Sequence, residues 1–266
     1  MAQLYWGGTQ IKGIKPPGMN FIPFYSGAYR LYIDVPSGTT ALEDRAFDSC
    51  GPLFSITIPP SVTSLGKECF YRCSSLTSIT IPPSVTSLGN YCFMDCSSLP
   101  SITIPPSVTS IGDYCFFGCS SLTSITIPSS VTSLGESCFY NCYSLTSITL
   151  PSSITSLGKE CFYGCPAFTS ITIPSSVTSL GIACFYLCES LASITIPSSV
   201  TSIGDYCFST CRSLRKVYFA GNPPTLGSPF PGLTLTIYHK SNNSNWTSSI
   251  KTSNYGGARS VTWSTY

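Results

Sequence analysis

One bulky side chain returns at a fixed step along this chain. Phe47, Phe70, Phe93, Phe116, Phe139, Phe162, Phe185 and Phe208 are each 23 residues apart, with no insertion or deletion between them. A strict period of this length limits the fold to a stack of short coils. A unit of that size cannot bury its apolar face alone and must pile onto copies of itself. Seven near-copies run from Ser55 to Arg215, and a degenerate eighth lies upstream, where Ile33, Val35, Pro36, Leu42, Ala46, Phe47 and Cys50 hold the matching positions. The expected body is one elongated domain, although 266 residues would suffice for two compact ones.

The unit itself shows how a coil is built. In Ser78-Ile79-Thr80-Ile81 apolar and polar residues alternate with period two, the pattern of a short strand with one buried and one wet face. Pro82 has no N–H to give to a sheet ladder, so it ends the strand and turns the chain. Val85 and Leu88 are then expected to point inward, Gly89 to permit a tight bend, Phe93 to plug the core and Leu99 to close the coil. The reading is a mainly β, right-handed solenoid of about eight 23-residue coils. Residues 1–31 form an N-terminal capping or docking segment, 32–215 the solenoid and 216–266 a C-terminal cap that hides the open end.

The written-out unit, Ile-x-Ile-Pro-x-Ser-Val-Thr-Ser-Leu-Gly-x-x-Cys-Phe-x-x-Cys-x-x-Leu, resembles the BspA-like leucine-rich repeat family, which usually has Ala before the Phe. Ala46 keeps that habit, whereas Cys69, Cys92, Cys115, Cys138, Cys161, Cys184 and Cys207 depart from it. The tail, Gly221-Asn222-Pro223-Pro224-Thr225-Leu226-Gly227 through Thr236-Ile237-Tyr238 to Trp246, is similar to the way such arrays end, so the resemblance covers about residues 32–246. It implies a leucine-rich-repeat fold and a cell-surface or secreted adhesion protein of bacteria or some protists, and it carries over no catalytic residue. The opening Leu4-Tyr5-Trp6-Gly7-Gly8-Thr9-Gln10-Ile11-Lys12-Gly13-Ile14 is similar to the N-termini of small phage structural proteins. The resulting expectation is a non-enzymatic phage virion or tail-associated protein that contacts a host surface or another virion subunit. The alternative is a microbial surface adhesin that binds host proteins or glycans.

Cysteine usage bears on both readings. Fifteen Cys in a short secreted chain would mark a disulfide scaffold, but this chain is long, has an ample apolar core and carries an odd number. Fourteen fall in Cys-Phe-x-x-Cys units and stack as two ladders, with Cys50 joining the second. Ala46 in the first ladder shows that the site wants a small buried side chain, so buried free thiols are expected. Stacked strands hold neighbouring side chains parallel, against the ~90° twist a disulfide needs. The four-residue Cys spacing lacks the knuckle of a zinc site and has no His nearby, so no metal or other cofactor is expected.

Charge and chemistry exclude further classes. Thirteen Lys and Arg scattered singly, for a net charge of +2, do not make a phosphate-tracking surface, so no nucleic-acid partner is expected. No run approaches the ~20 apolar residues that span a bilayer, and the start lacks the basic and apolar regions of a secretory signal. Synthesis in a cytoplasm, with residence on a virion or an extracellular surface after lysis, is the localisation expected. The one histidine, His239, has no acidic partner at a repeated position, and the eleven acids are scattered, so no catalytic constellation assembles.

Candidate binding surfaces remain. Charged residues are only 9% of the chain, so Ser, Thr and Tyr must cover the exterior. The strand face repeats Ser/Thr rows such as Thr77-Ser78-Thr80 and ends in Arg215, Lys216 and Tyr218; hydroxyls so arrayed suit glycans or ice, or simply solvate the sheet. A second face varies from coil to coil, and there Tyr71, Met94, Phe117, Tyr140, Tyr163 and Tyr186 each follow a core Phe, a stripe that either meets a partner or packs between coils. Tyr5, Trp6, Phe21, Phe24 and Tyr25 crowd the N-terminal segment, which either caps the first coil or docks another subunit, oligomerisation included.

Overall fold

The computed structural model describes the backbone of residues 4–6, 9–11, 19–23 and 29–266, and the side chains from Arg30 onward. The strict period becomes a β-solenoid in which each 23-residue unit is one coil with three sides.

The first side is the strand expected from the Ile alternation. Leu53–Thr57 pairs in parallel with Ser78–Ile79 in register Ser55↔Ser78, and Ser124–Thr126 pairs with Ser147–Thr149 as Ser124↔Ser147. The ladder starts one coil earlier at Tyr29–Asp34, which Met19–Pro23 covers in antiparallel fashion. Pairing on this side falls into three separate sheets, and the last carries it past the final full repeat through Ser193–Ile196, Lys216–Phe219, Thr234–His239 and Ser260–Thr265. The strands are short because a proline, buried or half-buried, follows each Ile-rich strand of the full repeats; the Pro59, Pro82 and Pro105 carbonyls then accept the N–H of Val62, Val85 and Val108 to close tight turns.

The second side is a two-residue strand per coil, Ser64–Leu65, Ser87–Leu88 and their equivalents, with Leu or Ile turned inward. This ladder exists in two parts, Ala41–Leu42 to Ser110–Ile111, extended by a bridge to Leu134, and Ser156–Leu157 to Thr225–Leu226. Between Leu134 and Leu157 it is interrupted, at the coil where Ile154 stands in place of the Val that the other six full repeats carry.

The third side holds no strand. Alternate amides reach the next coil, as Glu68 N–H donates to Asn90 O, Phe70 N–H to Cys92 O and Arg72 N–H to Met94 O. That geometry requires two left-handed residues in each coil, among them Glu68 at φ 57° and Arg72 at φ 55°. Residues other than glycine pay roughly 1–2 kcal/mol for this region, and three inter-coil hydrogen bonds per step offset the strain.

Inside, the Phe plugs form one column. Eight at the 23-residue step and Phe230 beyond them stack with centroids 5.3–5.6 Å apart and planes within 14° of parallel. Val, Leu and Ile ladders surround them, and the core is continuous from Leu31 to Ala258.

Gly89 corrects an expectation. It does not adopt a left-handed bend; a Cβ there would lie 2.6 Å from the Gly66 carbonyl carbon and 2.7 Å from Lys67 N. Glycine is needed so that successive backbones can approach, a requirement created by stacking.

Candidate functional site

The two cysteine ladders behave differently. All fifteen thiols are free and buried. In the second ladder each Sγ–H from Cys73 to Cys211 donates to the carbonyl of a Phe in the preceding coil, as Cys119 does to Phe93 O, at 3.0–3.2 Å. The first ladder makes no such bond, which explains why Ala46 can stand in it. Burial raises every thiol above its ordinary range, Cys50 to about 11 and Cys165 to about 12, so these sulfurs are held as neutral core groups. Among the described residues no three His, Cys, Asp or Glu side chains converge in a way that could hold a metal ion.

His239 is likewise built into the core. It is buried, its ring lies against Trp246 with centroids 5.4 Å apart, and Nδ1 is 3.0 Å from the Lys240 carbonyl oxygen. Tyr255 and Trp263 complete this aromatic plug at the C-terminal end.

The surface divides sharply. Between Leu53 and Gly204 every charged residue lies on the third side, and the two sheet sides carry none. On that third side Phe117, Tyr140, Tyr163 and Tyr186 form a half-buried column, with centroids 4.7, 4.3 and 4.6 Å apart and planes within 11°. Tyr91 and Tyr114 form a second stack at 4.9 Å. The rings cover one another's faces and present edges and phenol groups to solvent. Desolvation, followed by the hydrogen bond to Tyr163, pushes the Tyr140 hydroxyl up to about 12. Tyr71 stands apart from the column, with the Arg72 guanidinium 4.9 Å from its ring centroid, and Met94 is half-buried between the two. Tyr143, Ile182 and Tyr206, about half exposed, lie on the same side and were not singled out by the Phe-based pattern.

Arg215, Lys216 and Tyr218 belong to the first side and share no surface with this column. Arg215 and Lys216 are exposed, and Tyr218 stacks on Tyr238 at 4.5 Å. Of the N-terminal candidates, Tyr5 and Trp6 lie in the strand Leu4–Trp6, which pairs antiparallel with Thr9–Ile11, and Phe21 lies in Met19–Pro23. Phe24 and Tyr25 lie outside the described residues.

Residues 23–145 and 109–230 match the BspA type leucine rich repeat region, in six copies, which is most of the chain. The chain belongs to the BspA-type leucine-rich repeat family. Solved structures agree on the leucine-rich-repeat fold. A leucine-rich repeat protein from Bacteroides ovatus is 21% identical, with a TM-score of 0.64 over 95% of this chain and 77% of that one. A leucine rich cell surface protein from Faecalibacterium prausnitzii is 22% identical, with a TM-score of 0.59 over 94% of each. The Leucine Rich Repeat protein of T. pallidum is 24% identical, with a TM-score of 0.58 over 68% of this chain and 91% of that one. A comparison with curated proteins gave no match. A BspA-type solenoid is a binding or scaffold fold, and the buried thiols and histidine described above are packed as core.

Proposed function

We propose that this chain is a non-enzymatic adhesion protein that acts at a microbial surface and grips a protein partner along its third side. The observation that carries the reading is the distribution of variation. Exposed or half-buried positions that differ from coil to coil, Lys67, Asn90, Asp113, Glu136, Lys159 and Ile182 for example, gather on the side that also bears the aromatic column. Aromatic side chains held on a rigid stack, with charged residues as a polar rim around them, suit a protein interface. The similar fold of a cell surface protein in F. prausnitzii supports the location.

The finer assignment, a phage virion or tail-associated protein, draws on the N-terminal residues. The Leu4–Trp6 and Thr9–Ile11 pair forms its own two-stranded sheet and precedes the family match, as a segment that docks onto another subunit would.

The test is saturable binding of the labelled full-length chain to a panel of bacterial and host cells, beside the variant Tyr143→Lys/Ile182→Lys, which alters only half-exposed side chains. Saturable binding that the variant loses supports third-side adhesion. Binding unchanged in the variant refutes it. Co-sedimentation of the chain with phage particles, without binding to cells, would favour the virion assignment over adhesion.

A further inference from the structure

Hydroxyl groups fall into two populations that the sequence does not separate. One population is consumed in holding coils together. Ser107 Oγ donates to Val85 O at 2.7 Å, its equivalents repeat the bond along the stack, and Thr123 and Thr146 Oγ1 donate to Pro100 O and Thr123 O. The other includes the second-side serines from Ser64 to Ser202, and on the first side it occupies two seven-residue columns, Ser55 and every twenty-third residue to Ser193, and Thr57 and every twenty-third residue to Thr195. These fourteen side chains are exposed, Ser55 partly so, and none of their hydroxyls bonds within the protein.

Not one of the fourteen has been replaced, although the same duplications left the third side varied at almost every exposed position. Coil stacking does not use these hydroxyls, so it does not account for their constancy.

The surroundings define the chemistry. No charged residue stands on this side from Leu53 to Gly204. The Thr column passes in register from Thr195 to Tyr218 and on to Tyr238, whose rings stack, while the Ser column begins beside Tyr32, which leans on Phe54 with centroids 5.5 Å apart. Between the strand Ser124–Thr126 and residues Ser101–Ile104, where regular pairing lapses, a groove of about 350 Å³ opens across both columns. The track between the two aromatic ends spans eight coil steps, roughly 38 Å at ~4.8 Å per strand.

We propose that this side is a second binding surface, independent of the third side, that takes an extended neutral polysaccharide. Its hydroxyls are held by the unbonded Ser and Thr columns and its sugar rings stack on the tyrosines at either end. Asp34 stands at one end of the track and Arg215 and Lys216 at the other; between them the surface gives a polyanion no counter-charge, and hydroxyls exchange hydrogen bonds with a polyol without stranding an ion.

The experiment is native electrophoresis of the full-length chain through gels containing hydroxyethyl cellulose, mixed-linkage β-glucan, xylan or, as the polyanion, hyaluronan. Retardation in at least one neutral gel is expected. The Thr103→Val/Thr126→Val/Thr149→Val variant keeps the branched shape, removes only unbonded hydroxyls, and is expected to bind about tenfold more weakly with an unchanged melting temperature. Tyr143→Lys/Ile182→Lys is expected to be retarded as the parent is, which separates this surface from the third-side reading. Unaltered migration in every neutral gel, retardation by hyaluronan alone, or a triple-valine variant that binds like the parent would each overturn the proposal.

Discussion

Gly135 and Gly158 occupy the same position of successive repeats, in the same Ser-Leu-Gly context, yet alanine is expected to have opposite effects at the two. At Gly135 a Cβ would lie 2.4 Å from Asp113 N, Gly112 C and Gly112 O, all backbone atoms of the preceding coil. Relief to the 3.4 Å of ordinary contact requires about 1 Å of separation between coils. Such a shift breaks the bond from Gly135 N–H to Ile111 O, now 3.1 Å. Overpacking of this kind costs ~1–3 kcal/mol and a lost backbone bond about 1 kcal/mol, so roughly 3 kcal/mol is expected. At Gly158 nothing lies within 4 Å and φ is outside the left-handed region, because the second-side ladder is interrupted there. Alanine then only restricts the unfolded chain and stabilises by ~0.4–1 kcal/mol. At ~2–4 °C per kcal/mol for a domain of this size, Gly135→Ala should lower the melting temperature by about 6–12 °C and Gly158→Ala raise it by about 1–4 °C. Differential scanning fluorimetry reads both. Equal shifts at the two sites, or a larger loss at Gly158, would refute the account of the glycine column as a contact between coils.

The cysteine ladders make a parallel comparison. Cys119→Ala removes a thiol that donates to Phe93 O and should cost more, by about 1 kcal/mol in urea denaturation, than Cys115→Ala, whose thiol makes no such bond; equal costs would show that both ladders only fill space. The raised thiols also fix an alkaline limit. Their folded values lie above the ordinary 9.0, with Cys50 at about 11 and Cys165 and Cys211 at about 12, so the native state holds protons that the unfolded state releases. Their stabilising effect is complete below pH 9 and is lost as pH rises through the folded values, so melting temperature should fall progressively from pH 9 to 11, and a flat profile there would contradict thiol burial.

What could be read from the residues alone was whatever repeats. The 23-residue Phe step, the Ile-x-Ile-Pro strand and the paired Cys gave the solenoid, its core and its buried thiols, because a side chain's inward or outward direction follows from local periodicity. The candidates that each follow a core Phe were legible for the same reason, and Tyr206 shares the repeat position of Tyr91 and Tyr114, whereas exposed Tyr143 and Ile182 sit at positions with no repeated signal.

Contacts between residues 22 to 26 apart belong to the tertiary structure. Left-handed Glu68, Ala183 and Leu187 carry no local preference for that conformation; the amide ladder to neighbouring coils imposes it. Gly89 reads as a bend and acts as a space, because the atoms that forbid its Cβ belong to another coil. Ser78 and Ser84 look alike in sequence, but the hydroxyl of Ser84 is spent on Val62 O and that of Ser78 is free. Sequence determines which side of a coil a group faces, and only stacking decides whether that group is already bonded.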